Sequence, residues 1–143
     1  QLPVGVHTIE LVVFDGTYTS APDYVVIHVV SPQEYPTWVW PFDVNRGDTD
    51  EYVVVLLTLP TIPVADVDLT VPIACYPGGV QAVAQHATEH TDEQGLITMV
   101  FALFEEEDLF DAIPQDGLVE VTVVGRLLSG DWFSGTAQVA LTH

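Results

Sequence analysis

The chain has 143 residues, of which 21 are acidic and only two, Arg46 and Arg126, are basic, so its formal net charge is −19. This charge argues against nucleic acid and anionic membrane surfaces as partners, because both are bound through lysine and arginine. No apolar run reaches the roughly 20 residues of a membrane-spanning helix, so membrane insertion is not expected. The apolar content of 48% predicts either a large core or an apolar surface that another molecule covers.

Residues 1–32 predict two β-strands joined by a turn at Asp15-Gly16. The odd-numbered residues from His7 to Val13 share one strand face and are mostly apolar, and Tyr24–Val30 is rich in β-branched residues. The segments GVHTIELVV, DG, SAPD and VVIHV, in this order, resemble the C-terminal part of a PKD-type immunoglobulin-like domain. The match covers only the last two or three strands of such a domain, so an incomplete β unit is expected.

Half of a β-sandwich leaves an apolar face and an unpaired strand edge open. The apolar face consists of six residues: Ile9, Leu11, Val13, Val25, Ile27 and Val29. Either an upstream segment or a neighbouring copy of the chain has to cover them, and only the copy remains if Gln1 is the mature N-terminus. These residues are therefore our candidate assembly interface. Strand addition between subunits then predicts a homo-oligomer or an open polymer.

A second β unit is predicted over residues 33–143. Its strands are expected where apolar runs lie between turn residues or prolines: Trp38–Trp40, Tyr52–Leu59, Val67–Tyr76, Val80–Thr91 and Leu96–Phe104. The run Tyr52–Leu59 is almost continuously apolar, which predicts a central strand covered on both faces. The acidic run Glu105–Asp108 is expected to be solvated. Residues Leu109–Ile113 are expected to form one helical turn.

The clearest strand pair lies between residues 118 and 141. Apolar and polar residues alternate from Val119 to Val123, so one face points inward and the other toward water. Ser129-Gly130-Asp131 supplies a turn, and a returning strand starts at Phe133. Such a pair can bury its apolar face only against other strands, which predicts an all-β sandwich.

Several short features follow one another along the second unit: Asn45-Arg46-Gly47 before a run ending in Leu59-Pro60, VADVD at 64–68, Asp92 and Gly95 before Leu96–Phe104, and the final segment from Gly125 to Gly135. In this order they resemble a C-terminal immunoglobulin-like module of secreted bacterial surface proteins. The resemblance implies a surface or matrix protein and no catalytic residues. The predicted fold is therefore an immunoglobulin-like β-sandwich (33–143), preceded by an incomplete immunoglobulin-like, PKD-type strand unit (1–32).

One motif resembles a metalloprotease pattern, because His86-Ala87-Thr88-Glu89-His90 fits H-x-x-E-H. That chemistry needs both histidines close together on one helix face to hold a zinc ion. The surrounding residues instead predict a strand, on which the two histidines lie roughly 13 Å apart. No catalytic triad, nucleophile elbow or phosphate-binding loop is present in the sequence either. We therefore predict that the protein is not an enzyme.

Calcium is the one cofactor that the sequence leaves open. Its candidate ligands are six oxygen-bearing side chains: Asp43, Asn45, Asp48, Asp50, Asp66 and Asp68. The first four lie in one loop that lacks the spacing of an EF-hand. The other two are expected to meet that loop at one end of the sandwich.

The surroundings of the tryptophans and of the single cysteine indicate whether each side chain is exposed or buried. Trp38, Trp40 and Trp132 could form an aromatic platform for a sugar, but the first two share a strand face, and we expect them to pack in the core. Cys75 lies in an apolar run and is expected to be a small buried hydrophobe without a disulfide.

These observations predict a non-enzymatic structural protein that is extracellular or on the cell surface. It would be a subunit of a filament, surface layer or multidomain stalk assembled through β-strand contacts. The alternative is a carbohydrate- or calcium-binding accessory module of a secreted multidomain protein. An exposed pair of tryptophans would favour that alternative, whereas long stiff polymers would favour the structural role.

Overall fold

The computed structural model describes residues 5–29, 33–47 and 52–142, and these residues are mostly in β-strands. The predicted all-β class is therefore confirmed. The chain divides into two compact units, Gln1–Ser31 and Pro32–His143. Within the described ranges, no helix has the length and apolar character needed to cross a bilayer.

The first unit is an antiparallel hairpin of two strands, β1 (Gly5–Leu11) and β2 (Asp23–Val29). The connection turns back at Asp15, whose carboxylate accepts hydrogen bonds from the backbone N–H groups of Tyr18 (2.7 Å) and Thr17 (2.8 Å). These two donors hold the pKa of Asp15 below its usual value. Gly16 takes the positive φ of +97° that the turn requires. The turn predicted at Asp15-Gly16 is thus confirmed.

The second unit contains ten strands and one helix among the described residues. In chain order they are β3 (Gln33–Glu34), β4 (Thr37–Trp40), β5 (Asp43–Asn45), β6 (Tyr52–Pro60), β7 (Ala74–Tyr76), β8 (Val80–Gln81), β9 (Ala84–Asp92), β10 (Gly95–Glu105), α1 (Glu106–Ala112), β11 (Gly117–Arg126) and β12 (Trp132–Thr142). A single 3₁₀ turn, Val64–Asp66, follows β6.

The strands of the second unit form two sheets. The four-stranded sheet has the antiparallel order β4-β6-β10-β9. In the six-stranded sheet, β11 and β12 are central, β7 and β8 follow beyond β11, and the short strands β3 and β5 pair in parallel with β12. Strand β6 is therefore central, as its apolar run predicts.

A single hydrophobic core lies between the two sheets. Alternate residues of β6, which are Val53, Val55, Leu57 and Leu59, are at most 3% exposed. They belong to one cluster with inward-pointing residues of the other long strands: Val100, Ala102, Phe104, Val121, Val123, Phe133, Val139 and Leu141. This two-residue alternation is the pattern of a strand with one face on a core.

The C-terminal strand pair matches its prediction. Strands β11 and β12 pair antiparallel along their whole length, and the turn is closed by the Leu127 N–H, which donates to the Asp131 carbonyl (2.8 Å). Gly125 lies opposite Phe133, whose ring covers it. A Cβ at position 125 would lie 2.7 and 2.9 Å from two carbons of that ring. Glycine is therefore what allows the buried Phe133 ring to pack across the strand pair.

The predicted strand Val80–Thr91 is wrong in one respect, because two strands in different sheets replace it. Strand β8 pairs with β7, whereas β9 pairs with β10. The crossing occurs at Ala82 and Val83, whose N–H groups donate to the carbonyls of Ile73 and Leu103 (both 2.8 Å). Since the run from Val80 to Ala84 contains no turn residue, the sequence pattern carries no signal for the change of sheet.

The predicted strand Val67–Tyr76 is also shorter in the structure. Only β7 pairs regularly, and Val67 forms an isolated bridge with Leu127. Between them, Asp68 accepts hydrogen bonds from the N–H and hydroxyl of Thr70, a local turn that competes with strand pairing.

Helix α1 begins three residues before the predicted helical turn. The acidic residues Glu106, Glu107 and Asp108 form its first turn, where carboxylates interact favourably with the positive end of the helix dipole. The expectation that the acidic run is solvated is wrong for Glu106, which is only 1% exposed. This residue lies at the junction between β10 and the helix, so its side chain points to the interior, as those of Leu109 and Phe110 do.

Arg46 fixes the segment that follows helix α1. Its guanidinium donates hydrogen bonds to the carbonyls of Phe110 (3.2 Å), Ile113 and Gln115 (3.0 Å), and to the carboxylate of Asp116 (2.6 Å). The guanidinium also stacks 4.9 Å from the centre of the Phe110 ring. The carbonyls at the end of a helix lack partners within the helix, and Arg46 supplies donors there.

Candidate functional site

The predicted assembly residues of the first unit lie mainly on one face of the β1–β2 hairpin. The register places Ile9 opposite Val25, and Leu11 and Ile27 lie two residues away on the same face. The exposed fractions are 45% for Ile9, 62% for Leu11 and 56% for Val25, and Ile27 is half-buried. We call these four residues the hairpin face. It is an apolar surface of a sheet that has two strands among the described residues.

The other two predicted assembly residues, Val29 and Val13, are not part of the hairpin face. Val29 ends β2, and its side chain lies outside the described residues. Val13 lies beyond the end of β1, in the connection, where its N–H and carbonyl both pair with Ser20 (2.8 Å each). Its side chain is exposed. Val13 is therefore part of the connection between the strands rather than of the strand pair itself.

The second exposed surface is the side of the four-stranded sheet that points away from the core. Because residues opposite each other in antiparallel strands share a face, the register defines two rows across β4, β6, β10 and β9. One row contains Trp40, Val54, Leu103 and Ala84, and the other contains Trp38, Leu56, Phe101 and His86. We call these eight residues the aromatic face. Seven of them are apolar, so this side of the sheet is unusual for a surface in contact with water.

The expectation that Trp38 and Trp40 pack in the core is wrong. Their exposed fractions are 54% and 73%, while Val39 between them packs against the core. Strand β4 is an edge strand with one inward and one outward face, and the tryptophans take the outward one. The Cα atoms of Trp38 and Trp40 are about 7 Å apart along the strand. Trp132 is in the other sheet, where Arg126 stacks 5.6 Å from its ring.

An open groove lies on the aromatic face, mainly over β10 and β9. It has a volume of about 260 Å³, and its lining includes Val54, Phe101, Leu103, Ala84 and His86. The rows that form this floor continue across β6 to Trp40 and Trp38. The groove is shallow and open, which suits a flat or extended ligand better than a small molecule that needs enclosure.

The two histidines of the H-x-x-E-H motif lie on strand β9, as predicted. Both point to the outward side of the sheet, four residues and therefore roughly 13 Å apart. Glu89 points the other way, and its carboxylate accepts a hydrogen bond from the Val64 N–H (2.9 Å). The motif therefore does not form the arrangement that a zinc protease needs. His86 belongs to the aromatic face.

The structure does not bring the calcium candidates together. Asp43 and Asn45 lie on β5, beside the end of β12. Asp66 and Asp68 lie beside Arg126 and Leu127, at the other end of the β11–β12 pair, about 30 Å away along a ten-residue strand. The expected meeting of the two groups at one end of the sandwich is therefore wrong. Strand pairing fixes them at opposite ends.

The described calcium candidates also use their oxygens locally. Asn45 accepts a hydrogen bond from the Gly47 N–H (2.9 Å). The hydroxyl and N–H of Thr70 hold the pKa of Asp68 below its usual value. Asp48 and Asp50 lie outside the described residues. Among those that are described, no three histidine, cysteine or acidic side chains come close enough to hold a metal ion.

The outward rows of the aromatic face are the surface that the sequence analysis missed. The signal was present in the near-continuous apolar run of β6, which predicts a strand covered on both faces. Strand β6 instead alternates between fully buried and half-buried residues. An apolar run predicts that both faces of a strand are covered, but it does not identify the molecule that covers the second face.

Comparisons with known proteins do not assign this surface. No protein family model matches the chain, and neither a curated protein nor a solved structure matches it.

Proposed function

We propose that the protein is a non-enzymatic structural component of an extracellular or cell-surface assembly, and that it joins other chains through β-strand contacts. The observation that carries the proposal is the hairpin face, on which Ile9, Leu11 and Val25 are each about half exposed or more. A hairpin of two strands is only marginally stable in water, and its stability increases when further strands cover its apolar face. Burying each such side chain contributes about 1.5–3 kcal/mol.

The charge and the fold class support this location and role. With a net charge of −19, the surface stays strongly solvated, as suits a protein outside the cell. Two packed, mainly antiparallel sheets are compatible with an immunoglobulin-like sandwich, and the hairpin with the last strands of a PKD-type domain. Modules of this kind, connected in series, would form a stalk, a surface layer or a filament.

The hairpin face is tested by placing a charge on it. We expect the intact chain to associate at micromolar concentration and physiological salt, and Ile9→Glu to abolish association, because a carboxylate cannot be buried without a partner. Thr8→Glu is the matched control, since it adds the same charge to the adjacent residue on the opposite hairpin face. Sedimentation velocity measures the mass, and circular dichroism verifies that both variants remain folded.

Two results would contradict the proposal. One is a wild-type chain that stays monomeric at micromolar concentration. The other is an assembly that Ile9→Glu and Thr8→Glu weaken equally, because the effect would then come from the added charge and not from the hairpin face.

A further inference from the structure

We propose that the aromatic face is a binding site for an uncharged polysaccharide, a function separate from assembly through the hairpin face. The site consists of the groove floor on β6, β10 and β9 and of the exposed indoles of Trp38 and Trp40 on edge strand β4. One strand presents both indoles on the same side of the sheet, from Cα atoms about 7 Å apart. Each indole lies in the same cross-strand row as residues of the groove floor.

The charges of the chain argue against an anionic ligand at the aromatic face. The two cationic side chains of the chain, Arg46 and Arg126, lie at α1 and beside Trp132 and not on the aromatic face. The face therefore has no lysine or arginine with which to bind a sulfated or uronic acid polymer. This consideration favours a neutral ligand.

Hydrogen-bonding capacity decides between a neutral polysaccharide and an extended peptide. A peptide chain carries an N–H and a carbonyl at nearly every residue, and these groups lose free energy when they are placed on an apolar floor without partners. His86 is the only polar side chain among the eight residues of the aromatic face. A pyranose ring instead presents an apolar C–H surface to an aromatic ring while its hydroxyl groups remain at the rim.

The rim of the face offers groups that suit those hydroxyls. Thr58, Met99 and Thr88 form the next row of the same sheet side, so two hydroxyl side chains flank the row that contains Trp38. The imidazole of His86 can donate and accept hydrogen bonds. An apolar platform with few polar groups at its edge is a usual composition for a ligand site.

Native affinity electrophoresis of the full chain tests the proposal with soluble hydroxyethylcellulose, xylan, galactomannan and β-1,3-glucan, and sedimentation with insoluble cellulose and chitin extends the test. We expect at least one of these six probes to bind, and the double variant Trp38→Ala/Trp40→Ala to weaken that binding at least tenfold. Both indoles are exposed, so the variant should keep its fold. Trp132→Ala is the matched control and should bind as the wild type does. Polygalacturonate should not bind.

Three results would overturn the assignment. They are failure of all six probes to bind, unchanged binding by the double variant, and a wild-type dimer that the double variant converts to a monomer, which would make the face an interface between copies. The hairpin variant Ile9→Glu should bind polysaccharide normally, so the two proposals can fail independently.

Discussion

Cys75 shows how completely a single side chain can be removed from solvent in this fold. It is 1% exposed in the core between the sheets, as the sequence predicts for a lone cysteine in an apolar run. Burial raises the pKa of its thiol to about 12, compared with an ordinary value of 9.0, because the thiolate loses its hydration in the core. The thiol therefore acts as a packing group and not as a nucleophile.

This pKa predicts how stability depends on alkaline pH. The folded state favours the neutral thiol, so its contribution is complete below pH 9 and is lost as pH rises from 9 towards 12. At pH 10 the loss should be about 1 kcal/mol. We expect the difference in unfolding free energy between the wild type and Cys75→Ala to change by this amount between pH 7 and pH 10 in urea titrations. A difference that stays constant with pH would show that the thiolate is not excluded from the core.

At the scale of single elements, helix α1 depends on a residue that is distant in sequence. The helix has seven residues, which is too short for stability on its own. Its buried residues Leu109 and Phe110 fix one side, and the four hydrogen bonds of Arg46 fix the segment from Phe110 to Asp116. The side chain of Arg46 is 13% exposed, so these bonds are largely shielded from water.

Replacing Arg46 should therefore lower the unfolding free energy much more than replacing Arg126. We expect Arg46→Met to lower the unfolding free energy by about 2–4 kcal/mol, because three carbonyls and a carboxylate lose charged donors. Arg126→Met, the matched control, loses a stacking contact with Trp132 and should cost about 1 kcal/mol or less. Urea denaturation followed by circular dichroism measures both. Equal losses for the two variants would contradict the capping role of Arg46.

At the scale of the whole molecule, charge repulsion opposes the apolar core. The inward-pointing side chains of the long strands of the second unit are buried in the core. The chain also carries 21 acidic side chains, which repel one another, and only two basic ones. Most of the described acidic residues are exposed, so dissolved ions screen this repulsion effectively. Net charge of this size favours solubility and disfavours the compact state.

Added salt should therefore stabilise the protein. We expect the melting temperature to rise by a few degrees between about 0.01 M and about 0.5 M sodium chloride, as the screening length falls. Calcium and magnesium chlorides compared at equal ionic strength separate screening from specific binding. A larger effect of calcium would support a site at one of the acidic groups, and equal effects would argue against it. A melting temperature that does not change with sodium chloride would contradict the repulsion argument.

The sequence by itself determined the all-β class and the positions of the strands that alternate clearly. The pair β11–β12 and the turn at Asp15-Gly16 were predictable because side-chain alternation and turn chemistry are local properties. The burial of Cys75 was predictable for a similar reason, since it lies in an apolar run.

Only the tertiary structure decided which residues meet across the sheets. The separation of Asp43 from Asp66 follows from the pairing of β12 with β5 and from the position of Val67 next to Leu127, which are long-range contacts with no local signal. The same holds for the outward position of Trp38 and Trp40, because an edge strand and a core strand can carry the same alternation. Local patterns specify which residues share a face, but the neighbours that cover each face are selected by the packing of distant segments.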